Sequence, residues 1–514
     1  TFTLALVTGQ SVTDISQNVF ANLGWDEVRL PAPVFEGDTI YSSSEVLEKR
    51  ESRSRPNVGI VTVKTTDYNQ DGTPVITFIR PLMVYKRHHC PRDSQADFRR
   101  CDVSIMARTA TPREWVSFLA QLHYEDIPDA AVEHTREHLL DWIGSALAVE
   151  QDDLYNASVF HPATVVFPAA FAAAQQTGVS GREILAALVA GYEAGVRLRS
   201  YLGRSHYRVF HTTGTAGTLA AATAVSHLLG SDEETMLHAL SSTGLQAAEL
   251  WAFLRDAADS KQLHTAKAAS AGLLAAYLAR DGFTGAECIL EGESGMVAGI
   301  SSDADPNKLF QGGGRIGQCS RPPSGTALRA ATPTPPPTHC YRGWKEQGLG
   351  ADDIARVRAR VHAATIDVLG PVSDPRTIHR STFFIGFVLA MIAKKGSAEI
   401  DDFTEEALGD SKFRRSIAKV EMVLDPEVDA AYPRRWIGVV GIETTGDERF
   451  TSRVEVPKGG PVNTLSHQEL EEKPRNLTAY GGGASAGEID RIVARIGNLK
   501  EKTDVRDLLP AGSK

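Results

Sequence analysis

A short polar stretch, EQDDLYNASVFHP at residues 150–162, concentrates side chains that can take part in chemistry. It holds three carboxylates, Glu150, Asp152 and Asp153, and ends near the imidazole of His161. Imidazole titrates near neutral pH, and a carboxylate can orient it or hold a substrate hydroxyl. The stretch lacks helical or strand periodicity, which predicts a loop, and an apolar helical run follows it at once. The two aspartates could equally cap that helix.

Composition narrows the classes of protein to consider. The chain has 514 residues, which predicts roughly three domains at ~150 residues each, and 42% of its residues are hydrophobic, enough for true cores. A formal charge of −10 argues against nucleic acid or an anionic membrane as a partner. No apolar run is long enough to span a bilayer, and the start, TFTLALVTGQSV, has no basic region typical of a signal peptide. Five scattered cysteines predict neither a disulfide framework nor a zinc site, so we expect a reducing, cytoplasmic location.

The pattern along the chain predicts a β-rich N-terminal segment over residues 1–88. Two alternating runs flank a turn that carries Asn69, Asp71 and Gly72, which predicts a hairpin. The polar, aperiodic residues 89–108 then predict a linker.

Helices are predicted for most of the remaining chain. Thr111 is a plausible N-cap with Pro112 at the first helical position. From 109 to 312, small residues beside large ones at spacings of three and four favour close helix packing in an all-helical domain. Residues 313–464 alternate strand and helix patterns, which predicts a smaller α+β domain. The tail, 465–514, contains an amphipathic helix that we expect to complete the helical domain.

Several motifs in order resemble the MmgE/PrpD family, which includes 2-methylcitrate dehydratase and cis-aconitate decarboxylase. They are EQDDLYNASVFHP, GREILAALVAGYE, VFHTTGTAGTLAAA and SKQLHTAKAASAGLLAAYLARDGFTG. With KVEMVLDPEV and the tail, the likeness covers roughly residues 109–514. It implies a large helical domain capped by a smaller α+β lid, a homodimer, and chemistry without metal or organic cofactor.

The resemblance also implies site residues. It matches His161 and His211 to family histidines that share proton transfer, and Lys261 to a catalytic lysine that anchors a substrate carboxylate. His264, in the same Lys-x-Leu-His motif, and Arg208 are further candidates for binding the substrate.

At the position where the resemblance implies an acidic residue, this chain has Glu150, with Asp152 and Asp153 close behind. These three residues are expected to contact the substrate. No metal ligands are expected.

The N-terminal stretch FEGDTIYSSSEVLEKRESRSRPNVGIVTVKT resembles the C-terminal half of a MaoC-like hot-dog hydratase. The catalytic Asp and His of that family lie upstream of the matched half, so this segment is interpreted as a scaffold or a fragment. Met106 resembles an independent start, and the polypeptide could join two neighbouring reading frames.

Two further departures from the MmgE/PrpD pattern bear on activity. Relatives carry several dozen more residues between LLDWIGSALA and EQDDL. The Pro/Thr-rich stretch at 330–340 stands where relatives have a Cys/His stretch, and we interpret it as translation in a shifted frame. A genuine proline-rich linker is the alternative.

The leading hypothesis is a cofactor-independent lyase, a dehydratase acting on a small di- or tricarboxylate such as 2-methylcitrate. A decarboxylase or an epimerase on the same scaffold is the alternative, because a fold does not fix a reaction. A non-catalytic fused remnant is the third hypothesis.

Overall fold

In the computed structural model, the described residues are 19–35, 40–52, 55–86, 112–148, 160–255, 260–310, 351–370, 374–432, 434–456 and 463–508. The chain divides into two compact units, residues 1–105 and residues 106–514. None of the described helices combines the length and the apolar character that a membrane crossing requires.

The N-terminal unit is an antiparallel sheet, as its alternating sequence predicts. Its strands are β1 (Val19–Asn22), β2 (Asp26–Arg29), β3 (Tyr41–Glu51), β4 (Val58–Tyr68) and β5 (Pro74–Tyr85). Their order is β1-β5-β4-β3, with β2 also paired to β5. The sheet expected at the start of the chain is confirmed.

The predicted hairpin joins β4 and β5, whose antiparallel pairing runs from Tyr68 opposite Pro74 to Val58 opposite Tyr85. At its turn, the side-chain oxygen of Asn69 accepts hydrogen bonds from the backbone N–H groups of Asp71 (3.1 Å) and Thr73 (2.9 Å). This local bonding is the reason that asparagine favours turns.

Strand β3 forms one edge of this sheet. Every residue of β3 is exposed, and within the described residues the strand pairs with β4 alone. An edge strand of eleven exposed residues presents backbone groups that can pair with another strand.

Helices dominate the chain from residue 112 to residue 310. They are α1 (Pro112–Ala120), α2 (Asp129–Ala148), α3 (Ala163–Thr177), α4 (Gly181–Tyr207), α5 (Thr212–Leu228), α6 (Glu233–Gly244), α7 (Ser260–Arg280), α8 (Met296–Ile300) and α9 (Pro306–Leu309). The first helix begins at Pro112 as predicted, while its expected N-cap, Thr111, lies outside the described residues. The large all-helical domain is confirmed.

Helix α5 lies at the centre of this domain, with nearly all of its residues buried. Its Ala, Gly and Thr side chains are short, so neighbouring helices approach closely. A Cβ atom at Gly272 of α7 would lie 2.6 Å from the Cβ of Ala221 and 2.7 Å from the carbonyl oxygen of Thr218. Only glycine fits this crossing of α5 and α7 without a shift of one helix.

A smaller sheet domain follows. Its strands are β6 (Ile354–Val361), β7 (Val420–Leu424), β8 (Gly438–Thr444) and β9 (Arg449–Val454), in the order β7-β6-β8-β9 with β6 and β7 parallel. Its helices are α10 (Ala363–Leu369), α11 (Ile378–Thr382), α12 (Ile385–Lys395), α13 (Glu405–Gly409), α14 (Ser411–Ile417) and α15 (Pro426–Ala431). The apolar α12 shares a buried core with β6 and β8, and the predicted α+β domain is confirmed.

The last two helices pack back onto the helical domain. They are α16 (His467–Gly481) and α17 (Ala486–Gly497). Ile489 and Ile492 of α17 belong to the helical core. Lys473 of α16 forms a buried ion pair with Asp141 of α2. Removing one partner of such a pair typically costs about 3–5 kcal/mol, so this contact holds the tail on the domain.

Several sequence expectations fall outside the described residues. They are the linker at 89–108, Glu150, Asp152, Asp153 and the Pro/Thr-rich stretch at 330–340. Of the five cysteines, Cys288 takes part in a disulfide bond. Their scattered spacing did not predict this bond.

Candidate active site

The connection from α4 to α5 holds His211 in a defined position. Residues 209–211 run antiparallel to residues 249–251, with an isolated bridge between Phe210 and Leu250. The backbone N–H of His211 donates to the carbonyl of Glu249 (2.9 Å), and that of Trp251 donates to the carbonyl of Val209 (3.0 Å). His211 is thereby placed at the N-cap of α5, where its side chain makes no capping bond.

The imidazole of His211 contacts the imidazole of His264. Their Nδ1 atoms lie 3.2 Å apart, within hydrogen-bond distance. His211 is fully buried, whereas His264, in the second turn of α7, is half-buried. Only one hydrogen fits between the two nitrogens, so one ring donates and the other accepts. The two rings therefore act as one unit that takes up and releases protons.

Two aromatic side chains enclose this pair. The ring of Trp251 lies 4.6 Å from that of His211, and the ring of Phe253 lies 5.5 Å from His211 and 5.2 Å from His264. These rings exclude water on their side and restrict the orientation of both imidazoles. The indole N–H of Trp251 is buried and has no hydrogen-bond acceptor within the described part of the chain.

Charged groups near the pair act on His264. Burial lowers the pKa of His264 below its usual 6.5, the carboxylate of Glu249 opposes that change, and the ammonium of Lys267 adds to it. Lys267 Nζ lies 3.2 Å from Glu249 Oε1. At neutral pH the lowered pKa favours neutral His264, the form that can accept a proton.

Lys261 and His161 lie near the same end of α5. Lys261 is half-buried in the first turn of α7, three residues before His264 and so on the same face of the helix. The backbone N–H of His161 donates to Thr213 Oγ1 (3.3 Å), in the first turn of α5. The structure thus brings together His211 and His264 directly, with Lys261 and the backbone of His161 close by.

Arg208 precedes His211 by three residues. It is exposed at the end of α4, and its side chain forms no hydrogen bond or ion pair within the described residues. The expectation that Arg208 binds substrate gains no support from its position. Glu150, Asp152 and Asp153 lie outside the described residues and so cannot be placed in the site.

His206, five residues before His211, has a different environment. Its Nε2 lies 2.8 Å from Thr215 Oγ1, its Nδ1 lies 3.3 Å from the carbonyl oxygen of Ile300, and its ring stacks on Phe210. Burial lowers the pKa of His206 to about 4. Both nitrogens are occupied and the ring is neutral, so His206 is a structural histidine.

Sequence reasoning missed four residues around the pair: Glu249, Trp251, Phe253 and Lys267. The stretch AAELWAFL resembles ordinary core, and its aromatic residues carry no distinguishing spacing. One signal was present, because a single acid in an apolar run is rarely buried without a partner. No group of three or more His, Cys, Asp or Glu side chains arranged to hold a metal occurs in the described residues.

Comparison with known proteins finds family matches along most of the chain. Residues 147–309 match the MmgE/PrpD N-terminal domain, and residues 340–498 match the MmgE/PrpD C-terminal domain. Residues 1–139 match mesaconyl-CoA hydratase.

Relatives of this chain are named as decarboxylases, hydratases and a dehydratase. A cis-aconitate decarboxylase-like protein of Aspergillus oryzae is 27% identical over 70% of this chain and 79% of its own length. The cis-aconitate decarboxylase of Homo sapiens is 23% identical over 71% of this chain and 77% of its own. Mesaconyl-CoA hydratase of Cereibacter sphaeroides is 44% identical over 16% of this chain, and the match spans only 24% of that hydratase.

The two MmgE/PrpD domains together span well over half of the sequence, in the order and over the regions that the motifs indicate. The segment that matches mesaconyl-CoA hydratase precedes them. The chain therefore belongs to the MmgE/PrpD family.

Proposed function

We propose that this chain is a lyase that acts on a small di- or tricarboxylate by acid–base chemistry at His211 and His264. The observation that carries the proposal is the 3.2 Å contact between their Nδ1 atoms, half-buried among aromatic rings with Lys261 on the same helix. Surface histidines rarely meet in this way, because two imidazoles that face each other give up hydrogen bonds to water.

His264 is the more accessible ring, so substrate reaches it first. When His264 Nδ1–H donates to His211, the Nε2 of His264 carries a lone pair and can accept a proton from carbon. When the bond runs the other way, His264 carries its hydrogen on Nε2 and can donate it. The direction of one hydrogen bond thus decides whether His264 is a base or an acid.

In a dehydration, a base takes the proton from the carbon beside a carboxylate, and an acid protonates the departing hydroxyl, which leaves as water. The His211–His264 pair supplies one of these groups, and His161, at the same end of α5, supplies the other. The ammonium of Lys261 anchors a substrate carboxylate and stabilises the negative charge that develops on it. The N-terminus of α5 adds a positive potential there.

Decarboxylation is the second candidate, because two relatives aligned over most of the chain are named as a cis-aconitate decarboxylase and a cis-aconitate decarboxylase-like protein. In that reaction a carboxylate leaves as CO2, and an imidazolium protonates the carbon it leaves behind. The same residues serve both reactions. An epimerase removes and returns a proton at one carbon, and the non-catalytic alternative predicts no turnover at all.

The test is a screen of the purified full chain against 2-methylcitrate, citrate and cis-aconitate, followed by NMR in D2O. Dehydration keeps every carbon and forms an alkene, decarboxylation loses one carbon, and epimerisation exchanges a carbon-bound hydrogen for deuterium without net conversion. Dehydration or decarboxylation of any of the three compounds supports the proposal, whereas exchange without either supports the epimerase alternative. Absence of conversion and of exchange in all three, with the protein folded, would favour the fused remnant.

A second copy of the chain is a further proposed partner. The family resemblance implies a homodimer, and its test is the molecular mass of the full chain in solution.

A further inference from the structure

Glu249 is an acid buried beside the imidazole pair. Only 4% of its side chain is exposed, although it lies in the apolar run AAELWAFL. A buried carboxylate is costly unless charged or polar groups compensate it. Its Oε1 lies 3.2 Å from Lys267 Nζ, and its Oε2 accepts a hydrogen bond from the backbone N–H of Ala248 (3.2 Å).

Lys267 is itself fixed by a second contact. Its ammonium also donates to the carbonyl of Gln246 (3.0 Å), so it bridges two points of the segment that carries Glu249. This ammonium therefore joins helix α7 to the 246–249 segment. The carboxylate is held in one place relative to His264, which lies one turn before Lys267 on α7.

The backbone and the side chain of Glu249 also contact the start of α5. Its carbonyl accepts the N–H of His211 (2.9 Å). A Cβ atom at Gly214 would lie 2.6 Å from both Cβ and Cγ of Glu249, so the side chain lies directly against the first turn of α5. One residue thus touches the elements that carry both imidazoles.

Among the described residues, the charges that act on the pKa of His264 come from two elements. Glu249, on the segment before α7, favours the protonated ring, and Lys267, on α7 itself, disfavours it. His211, at the N-cap of α5, supplies the hydrogen-bond partner. Glu249 is therefore the group that opposes the effect of burial on this ring.

We propose that Glu249 is a positioning residue of the site. Its main-chain carbonyl holds His211 at the N-cap of α5, and its carboxylate, balanced by Lys267, stabilises the proton that the two imidazoles share. The role of Glu249 in turnover rests on the proposed function, whereas the effect of its carboxylate on the shared proton does not depend on any reaction.

The test compares Glu249→Gln with Lys267→Gln in the full chain. Glutamine has nearly the volume of glutamate and can still accept from Ala248. With histidine labelled by 13C at Cε1, the His264 resonance is assigned from its loss in His264→Asn and followed by NMR across pH. We expect Glu249→Gln to lower the pKa of His264 and Lys267→Gln to raise it. Glu249→Asp, which keeps the charge, should shift the pKa less than Glu249→Gln does.

Activity supplies the second readout. We expect Glu249→Gln to lower kcat by roughly tenfold or more, because misplaced catalytic groups can cost up to about 10²-fold, and to move the acid limb of the pH–rate profile to lower pH. The proposal would be overturned if the pKa of His264 did not shift in Glu249→Gln and Lys267→Gln, or if it shifted in the same direction in both. Opposite shifts in a chain without turnover would uphold it while removing the proposed lyase function.

Discussion

The imidazoles of His211 and His264 face each other through their Nδ1 atoms, 3.2 Å apart, across the junction of α5 and α7. Two protonated rings would each place a hydrogen in this gap, so double protonation breaks the contact. The pair exists with one shared hydrogen, and its chemistry is available only while at least one ring is neutral.

The first prediction follows for His211→Gln, which removes one ring of the pair. We expect turnover to fall by ~10²–10⁴-fold, the usual cost of losing a proton-transfer group, with the fold retained. The matched control is His123→Gln, because His123 is exposed and lies between α1 and α2, distant in sequence from His211. Steady-state kinetics and circular dichroism decide between the outcomes. Equal activity in His211→Gln and the parent would remove His211 from the mechanism.

A second prediction concerns Lys261→Ala. Loss of the ammonium should raise the Michaelis constant strongly, because a substrate carboxylate loses its anchor. Lys308→Ala, at an exposed lysine of α9, is the control and should leave both kinetic constants unchanged. If KM and kcat of Lys261→Ala matched those of the parent, Lys261 would lie outside the binding site.

Acid should destabilise the protein through three buried histidines. Burial lowers the pKa of His138 to about 3 and those of His206 and His362 to about 4. Between those values and the unfolded value near 6.5, the unfolded chain binds more protons, so stability falls as pH falls through this window. Thermal unfolding followed from pH 7 to pH 5 should show a decreasing Tm.

The matched variant for this prediction is His362→Asn. His362 caps α10 by accepting from the N–H of Thr365, a role that asparagine can take over. The variant loses the stacking of His362 on Tyr432 and should start from a lower Tm, but its Tm should change less with pH. The same pH dependence in parent and variant would show that His362 does not contribute to it.

How much the sequence could predict depends on how local each feature is. The hairpin at Asn69 and the helix start at Pro112 are set by neighbouring residues, and both were predicted. The contact of His211 with His264 depends on the crossing of α5 and α7, which brings together residues far apart in the sequence. The family motif supplied both positions, yet their direct contact was not expected.

There are also physical reasons why sequence analysis did not predict some residues around the pair. Trp251 and Phe253 lie in an apolar run that is indistinguishable from core by periodicity. Arg208 was a candidate because of its charge and its position before His211; the structure places it exposed at the end of α4, and its role in binding stays a prediction. Side-chain direction at a helix end is set by packing, which the sequence does not reveal.

A fourth prediction concerns the N-terminal unit. Its edge strand β3 is exposed along its whole length, and residues 1–105 form a compact unit of their own. A chain that begins at Met106 should keep the melting transition of the helical domain and have equal or better solubility, because an unpaired edge favours aggregation. Loss of the helical unfolding transition, followed by circular dichroism, would show that the sheet unit is integral to the fold.

The most direct test of the central claim is a kinetic double-mutant cycle on the pair, with whichever substrate the NMR screen identifies. His211→Gln, His264→Gln and the double variant are compared with the parent by their kcat values. Residues that act as one unit show strongly non-additive effects, so we expect the double variant to be no slower than the slower single variant. The account of a shared proton between His211 and His264 would be contradicted if the fold-losses in kcat of the two single variants multiplied in the double variant. It would also be contradicted if either single variant kept the kcat of the parent.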